Sequence, residues 1–171
     1  MVIAVRDLDA AAASFTALGF TLTPRGFHSI GSQNHCIMLG STYVELLAAP
    51  VPHPWLDYYR AFLERHGDGL AAIALATDDA DRSYAELKER GARPPMDLSR
   101  PVDGGVARFR LVQVNEALFV CQHLTRDLVW RPQWQRHANG AAELTAIDGN
   151  VLRLRGLSES LEAHGVRLAP A

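Results

Sequence analysis

The run Tyr43-Val44-Glu45-Leu46-Leu47 sets a single carboxylate inside an apolar stretch that alternates like a strand. A carboxylate in such surroundings is a candidate base, ligand-orienting group or metal ligand. Gly40-Ser41 ahead of it reads as a two-residue turn, so the run pairs back on residues 34–39, with Met38 opposite Tyr43 and Cys36 opposite Glu45. Neighbours on a strand point to opposite sides. Tyr43, Glu45 and Leu47 therefore share a face with Asn34, Cys36 and Met38, while Val44, Leu46 and His35 point away from it. A second hairpin, residues 109–114 and 117–123 about a turn at Asn115-Glu116, places Arg110, Val112, Phe119, Cys121 and His123 on the equivalent face by the same reasoning. The short β-rich runs at residues 2–5 and 71–75 add Val2, Ala4, Ala72 and Ala74, whose small side chains leave volume between the larger ones. Arg110 stands out, because a guanidinium on an apolar face must be paired or must meet an anionic ligand. Two roles stay open for it: an internal ion pair with Glu45, or a grip on a substrate carboxylate with Glu45 acting as base or orienter. Cys121 has no helix N-terminus or adjacent base to lower its pKa and reads as lining. His123 and His35 read as hydrogen-bonded structural groups as readily as catalysts.

The elements that position these residues occur twice. Asp7-Leu8-Asp9 opens a helix with Leu8, Ala12 and Phe15 on one stripe and Gly19 at its stop; Asp79-Ala80-Asp81 opens another with Ala80, Tyr84 and Leu87, stopping at Gly91. Each helix follows a short β-rich run and precedes a Pro/Gly-rich passage and a hairpin, so the pattern is βαβββ repeated. Between the copies lies Pro50-Val51-Pro52-His53-Pro54, a stiff linker, and then a connecting helix over residues 56–66 with Gly67 at its stop. The organisation expected is a first module over residues 1–49, linker and helix over 50–68, a second module over 69–125 and a C-terminal extension over 126–171 packed on the same domain. In that extension Asp148-Gly149-Asn150 marks a hairpin, residues 159–164 read as a last short helix, and Trp130, Trp134 and His137 read as packing or a subunit contact. The run Glu86-Leu87-Lys88-Glu89-Arg90 is a solvated helix face.

A chain of 171 residues, 48% of them hydrophobic, supports one core or two small modules sharing one. With 21% charged residues and a net charge of -2 it has no field to hold nucleic acid or an anionic membrane. No apolar run is long enough to span a bilayer and no basic leader precedes one, so a cytoplasmic location is expected. Cys36 and Cys121 are neither CxxC-spaced nor dense enough for a disulfide scaffold.

Residues 2–9, the stretch Asn34-His35-Cys36-Ile37-Met38-Leu39-Gly40 leading to Tyr43-Val44-Glu45-Leu46-Leu47, and Ile73-Ala74-Leu75 resemble the vicinal oxygen chelate (glyoxalase/bleomycin-resistance/dioxygenase) superfamily. The passage from Cys121-Gln122-His123 to Asn139-Gly140-Ala141 is similar to the tail of its glyoxalase-like subgroup. The resemblance implies an α+β fold in which paired βαβββ modules form an open, curved, mixed-sheet trough with helices outside, extended here by a C-terminal hairpin and helix. It also implies a divalent metal (Zn, Ni, Fe or Mn) in the trough, held by a His or Glu from the first and last strands of each module. Glu45 matches in type and position. Ala72 stands where a His is expected, Cys121 where a Glu is expected, and the fourth position falls immediately before Met1. Glu45 alone, or Glu45 with Cys121, is a poor chelator, so a metal-free protein is the leading expectation. Three functions follow: a glyoxalase-like protein binding a small anionic or polar ligand without glyoxalase I activity; a drug-sequestering protein resembling those of bleomycin resistance, working as a homodimer; or a lyase- or dioxygenase-type metalloenzyme whose His lies upstream of Met1.

Overall fold

The structure, a computed structural model, describes residues 1–171. Strand β1 (Val2–Ala4) leads into helix α1 (Leu8–Ala17), and β2 (Gly26–Phe27), β3 (Gln33–Met38) and β4 (Tyr43–Ala48) complete the first module. Helix α2 (Asp57–His66) connects to the second module: β5 (Gly69–Ala76), α3 (Ala80–Leu87), β6 (Met96–Val102), β7 (Gly105–Asn115) and β8 (Leu118–His123). The repeated Asp starts both module helices by one device: Ala10 N–H donates to Asp7 Oδ1 at 2.9 Å, and Arg82 N–H to Asp79 Oδ1 at 3.0 Å. Gly19 (φ 84°) and Gly91 (φ 90°) follow in the left-handed conformation that ends them. The buried stripe of α1 is Leu8, Ala11 and Phe15, so Ala11 rather than Ala12 faces the core.

The eight strands form one curved sheet in the order β2-β3-β4-β1-β5-β8-β7-β6. Within each module the first strand runs parallel to the last, and antiparallel β1–β5 pairing joins the modules. The two edges then come back to meet. Ser29 N–H donates to Ser99 O at 2.8 Å, and Ser99 N–H donates to Ser29 Oγ at 3.3 Å. The expected open trough is thus closed almost to a barrel, with the unpaired groups of both edges turned towards each other.

Register decides which side chains face inward. In the first hairpin Met38 pairs with Tyr43, Cys36 with Glu45 and Asn34 with Leu47, as the Gly40-Ser41 turn predicts. The second hairpin differs. A bulge between Gln113 and Asn115 shifts β7, so Phe109 opposes His123, Leu111 opposes Cys121 and Gln113 opposes Phe119. Arg110 and Val112, expected on the inner face, are therefore on the outer one. Arg110 pairs with Asp81 of α3 and with Asp97, and Val112 is buried beneath α3 with Ala80, Ala92 and Val120.

The C-terminal extension is a second sheet, β9 (Glu143–Asp148), β10 (Val151–Arg155), β11 (Leu161–Ala163) and β12 (Val166–Pro170), in the order β11-β12-β10-β9. The short helix expected over residues 159–164 is strand and turn instead. His164 (φ 48°) and Gly165 (φ 71°) reverse the chain so that residues 161–163 pair with β12. A Cβ at position 165 would sit 2.0 Å from Asp68 O, so the turn needs glycine there. This sheet completes the main core, where Leu152, Leu154 and Leu168 pack with Ile3, Val5, Phe15 and Leu46. No helix is long and apolar enough to cross a membrane.

Candidate ligand-binding hollow

Inside the curl of the sheet lies a hollow of about 80 Å³. Strands β3 and β4 bring Asn34, Cys36, Tyr43, Glu45 and Leu47 to it; β8 brings Phe119 and Cys121. Those seven residues are expected there from the sequence, as is Val2 of β1, which also lines the hollow. Of the others, Met38 is fully buried in the cluster of side chains around the hollow without lining it, Ala72 packs behind Val2 and Leu47, and Ala4 is buried with Leu63 and Ala71. Ala74 and His123 line a neighbouring cleft rather than the hollow. Arg110 and Val112 take no part, for the reason of register given above. His35 lies on the helix-facing side, where its Nδ1 is 2.7 Å from Thr23 O.

The lining also holds residues that the sequence does not place there, among them His28, Trp55, Tyr59, Arg100, Phe109 and Leu111. Trp55 arrives at the end of the proline-stiffened linker and Tyr59 on α2. Phe109 and Leu111 arrive through the bulged register. Arg100 lies on β6, in the Pro/Gly-rich passage where no strand was assigned; the alternation Met96, Leu98, Arg100 is the signal that would have found it.

Arg100 is the unusual group. It is 5% exposed, its Nε has no hydrogen-bond partner, and none of the chain's seven ion pairs includes it. Glu45 does not compensate for it directly: Glu45 Oε1 accepts from Asn34 Nδ2 at 2.6 Å. Asn34 stands between the two charges, and its Oδ1 is also unpartnered. Gly26 makes room for this arrangement, since a Cβ there would lie 2.3 Å from Asn34 Oδ1 and 2.9 Å from Arg100 Cδ.

The remaining titratable groups are held neutral by their surroundings. Burial pushes the Cys36 and Cys121 thiols up to about 12, helped by the charge of Glu45, so neither is a nucleophile at neutral pH. Burial lowers His28, whose Nδ1 lies 2.9 Å from Ser32 Oγ. Burial, with a smaller effect of Arg126, lowers His123 to about 4. The His123 ring stands edge-on to Phe109, Tyr43 and Trp130, and its Nε2 is 3.2 Å from Tyr43 Oη. Trp130 and Trp134 pack against the cluster of side chains around the hollow. His137 is a structural bridge: Thr21 N–H donates to its Nδ1 at 3.0 Å and its Nε2 lies 3.0 Å from Met38 O.

The residues present do not fit a divalent metal. Of the positions where ligands are expected, Ala72 offers no donor, which leaves only Glu45 and Cys121. No three His, Cys, Asp or Glu side chains converge to hold an ion.

The family described as "Glyoxalase-like domain" matches residues 1–165. No curated protein matches the sequence. Among solved structures, a hypothetical protein from Staphylococcus aureus superposes with a TM-score of 0.73 at 12% identity, covering 99% of this chain and 97% of that one. Hypothetical protein BH1468 from Bacillus halodurans C-125 gives a TM-score of 0.53 at 20% identity over 71% of this chain and 89% of that one. A mutant 4-hydroxymandelate synthase from Streptomyces coelicolor gives 0.46 at 15% identity, covering 99% of this chain and 60% of that one.

Proposed function

Since the chain belongs to the glyoxalase-like domain family, we propose that it uses the inner surface of its curved sheet to bind a small organic anion without a metal. The observation that carries this reading is Arg100, a guanidinium buried in the hollow and in ion-pair contact with no carboxylate of the chain, Glu45 being turned to Asn34 instead. Isolated buried charge costs several kcal/mol, on the order of the stability of a whole domain, unless a partner meets it. A ligand carboxylate received by the guanidinium fork, with Trp55, Tyr59, Phe109 and Phe119 around its apolar part, supplies that partner. The size of the hollow favours a compact metabolite over a drug: ≈ 80 Å³ is well below the roughly 300–1,000 Å³ of drug-sized sites.

The test is ligand-dependent thermal stabilisation with a panel of small carboxylates. A binder present at about 100 times its Kd should stabilise the protein by about 2.7 kcal/mol. Arg100→Met should abolish that gain without lowering the stability of the free protein, because the arginine has no partner to lose. A panel, amino acids included, in which no carboxylate-bearing compound raises the melting temperature of the unmodified protein refutes the reading. So does turnover of a hemithioacetal on adding zinc or nickel, which would require a metal-held site these residues do not form.

A further inference from the structure

A carboxylate alone would answer only half of the hollow. Glu45 presents negative charge to the same small space as Arg100, and the Asn34 amide holds the two apart: its NH2 is turned to Glu45, its Oδ1 to the arginine side. Asn34 Oδ1 and one guanidinium nitrogen, Nη1, both lie within 3.0 Å of the point where a Cβ on Gly26 would be. One wall therefore offers, in order, a carboxylate, an amide oxygen lacking a donor and a guanidinium lacking an acceptor. A ligand bearing only a carboxylate would leave the amide oxygen orphaned and bring like charges together in a poorly solvated site, where Coulomb repulsion is weakly screened.

We infer that the occupant is a compact zwitterion of the amino-acid type, its carboxylate on Arg100 and its ammonium on Glu45 and Asn34 Oδ1. This rests on the anion-binding reading above and adds the second charge. An ammonium one carbon away from a carboxylate presents donor and acceptor side by side, as the wall does. The charges also balance: with the two thiols and His28 and His123 neutral, the hollow holds one positive and one negative side chain, and an overall neutral ligand leaves that balance intact. Its small size selects short side chains, which would rest against Leu47, Phe109 and Phe119.

Calorimetric titration with L-valine, 3-methylbutanoate and isobutylamine, and with L-alanine, propanoate and ethylamine, separates the charges. The expected result is that at least one amino acid binds about tenfold or more tighter than both of its truncated analogues. Glu45→Gln should weaken the amino acid about tenfold while sparing the carboxylate, and Arg100→Met should weaken both. The comparison among ligands on the unmodified protein needs no variant to fold. A carboxylate that binds through Arg100 as tightly as its amino acid, unaffected by Glu45→Gln, overturns the zwitterion while the anion site stands. If neither amino acids nor carboxylates bind, both readings fall.

Discussion

Burial, with smaller effects of nearby cations, sets the charge state of His123, and it ties the stability of the protein to pH. Its pKa falls from 6.5 to about 4 because the ring is enclosed by Phe109, Tyr43 and Trp130. The folded state therefore binds fewer protons than the unfolded chain between those two values. Stability is full above pH 6.5 and is lost as pH falls towards about 4, by up to about 3 kcal/mol from this one group. His28 and His137, also lowered by burial, add in the same direction. Urea denaturation at about pH 7.5 and about pH 5 should show the loss, and His123→Phe, which keeps the aromatic packing, should remove most of it. A pH-independent midpoint in the unmodified protein contradicts this account. Glu45 was legible at this scale because an acidic residue interrupts an apolar alternation. Arg100 was not, because facing can be assigned only to residues already placed on a strand, and Pro94 and Pro95 ahead of β6 with Pro101 inside it hid that strand.

At the scale of elements, the first hairpin could be read to the residue and the second could not, for one physical reason. A Gly-Ser turn fixes its register, whereas β7 absorbs one extra residue near Asn115, whose side chain accepts from Ala117 N–H at 2.9 Å. The consequence was a reversal of every inward assignment on β7, exchanging Arg110 and Val112 for Phe109 and Leu111. The helix caps were legible because Asp caps act locally. The seam between β2 and β6 was not, since it joins residues some seventy positions apart in sequence. That seam also carries a prediction. Gly26 sits where β2 passes Asn34 and Arg100, so Gly26→Ala must push both aside. Arg100 is the end of a flexible side chain and can move, so we expect a stability loss of about 1–2 kcal/mol or less but a loss of ligand stabilisation as complete as in Arg100→Met. Unimpaired binding in Gly26→Ala would show that the geometry of that wall is not what receives the ligand.

For the molecule as a whole, the question is whether the C-terminal sheet is an appendage or part of the fold. The repeat in the sequence ends near His123, and by that logic the modules should be self-sufficient. The packing argues otherwise. Leu152, Leu154, Leu157, Val166 and Leu168 belong to the same buried cluster of 18 residues as Ile3, Val5 and Phe15, on the side of the sheet away from the hollow. His164 Nδ1 lies 2.6 Å from Asp68 Oδ2 and its ring stacks on Phe15, so the sheet is also joined to the start of β5 and to α1. Burying each of those five aliphatic side chains contributes about 1.5–3 kcal/mol, together on the order of 10 kcal/mol, which is comparable to the whole stability of a domain this size. A chain ending at Ala142 should therefore fail to fold, losing its cooperative melting transition and exposing apolar surface to a hydrophobic dye such as ANS. Leu152→Asp in the full chain should act in the same direction by placing an unpaired charge in that core. If the shortened chain instead melts cooperatively and still binds a carboxylate through Arg100, the two modules alone form the hollow and the extension serves another purpose.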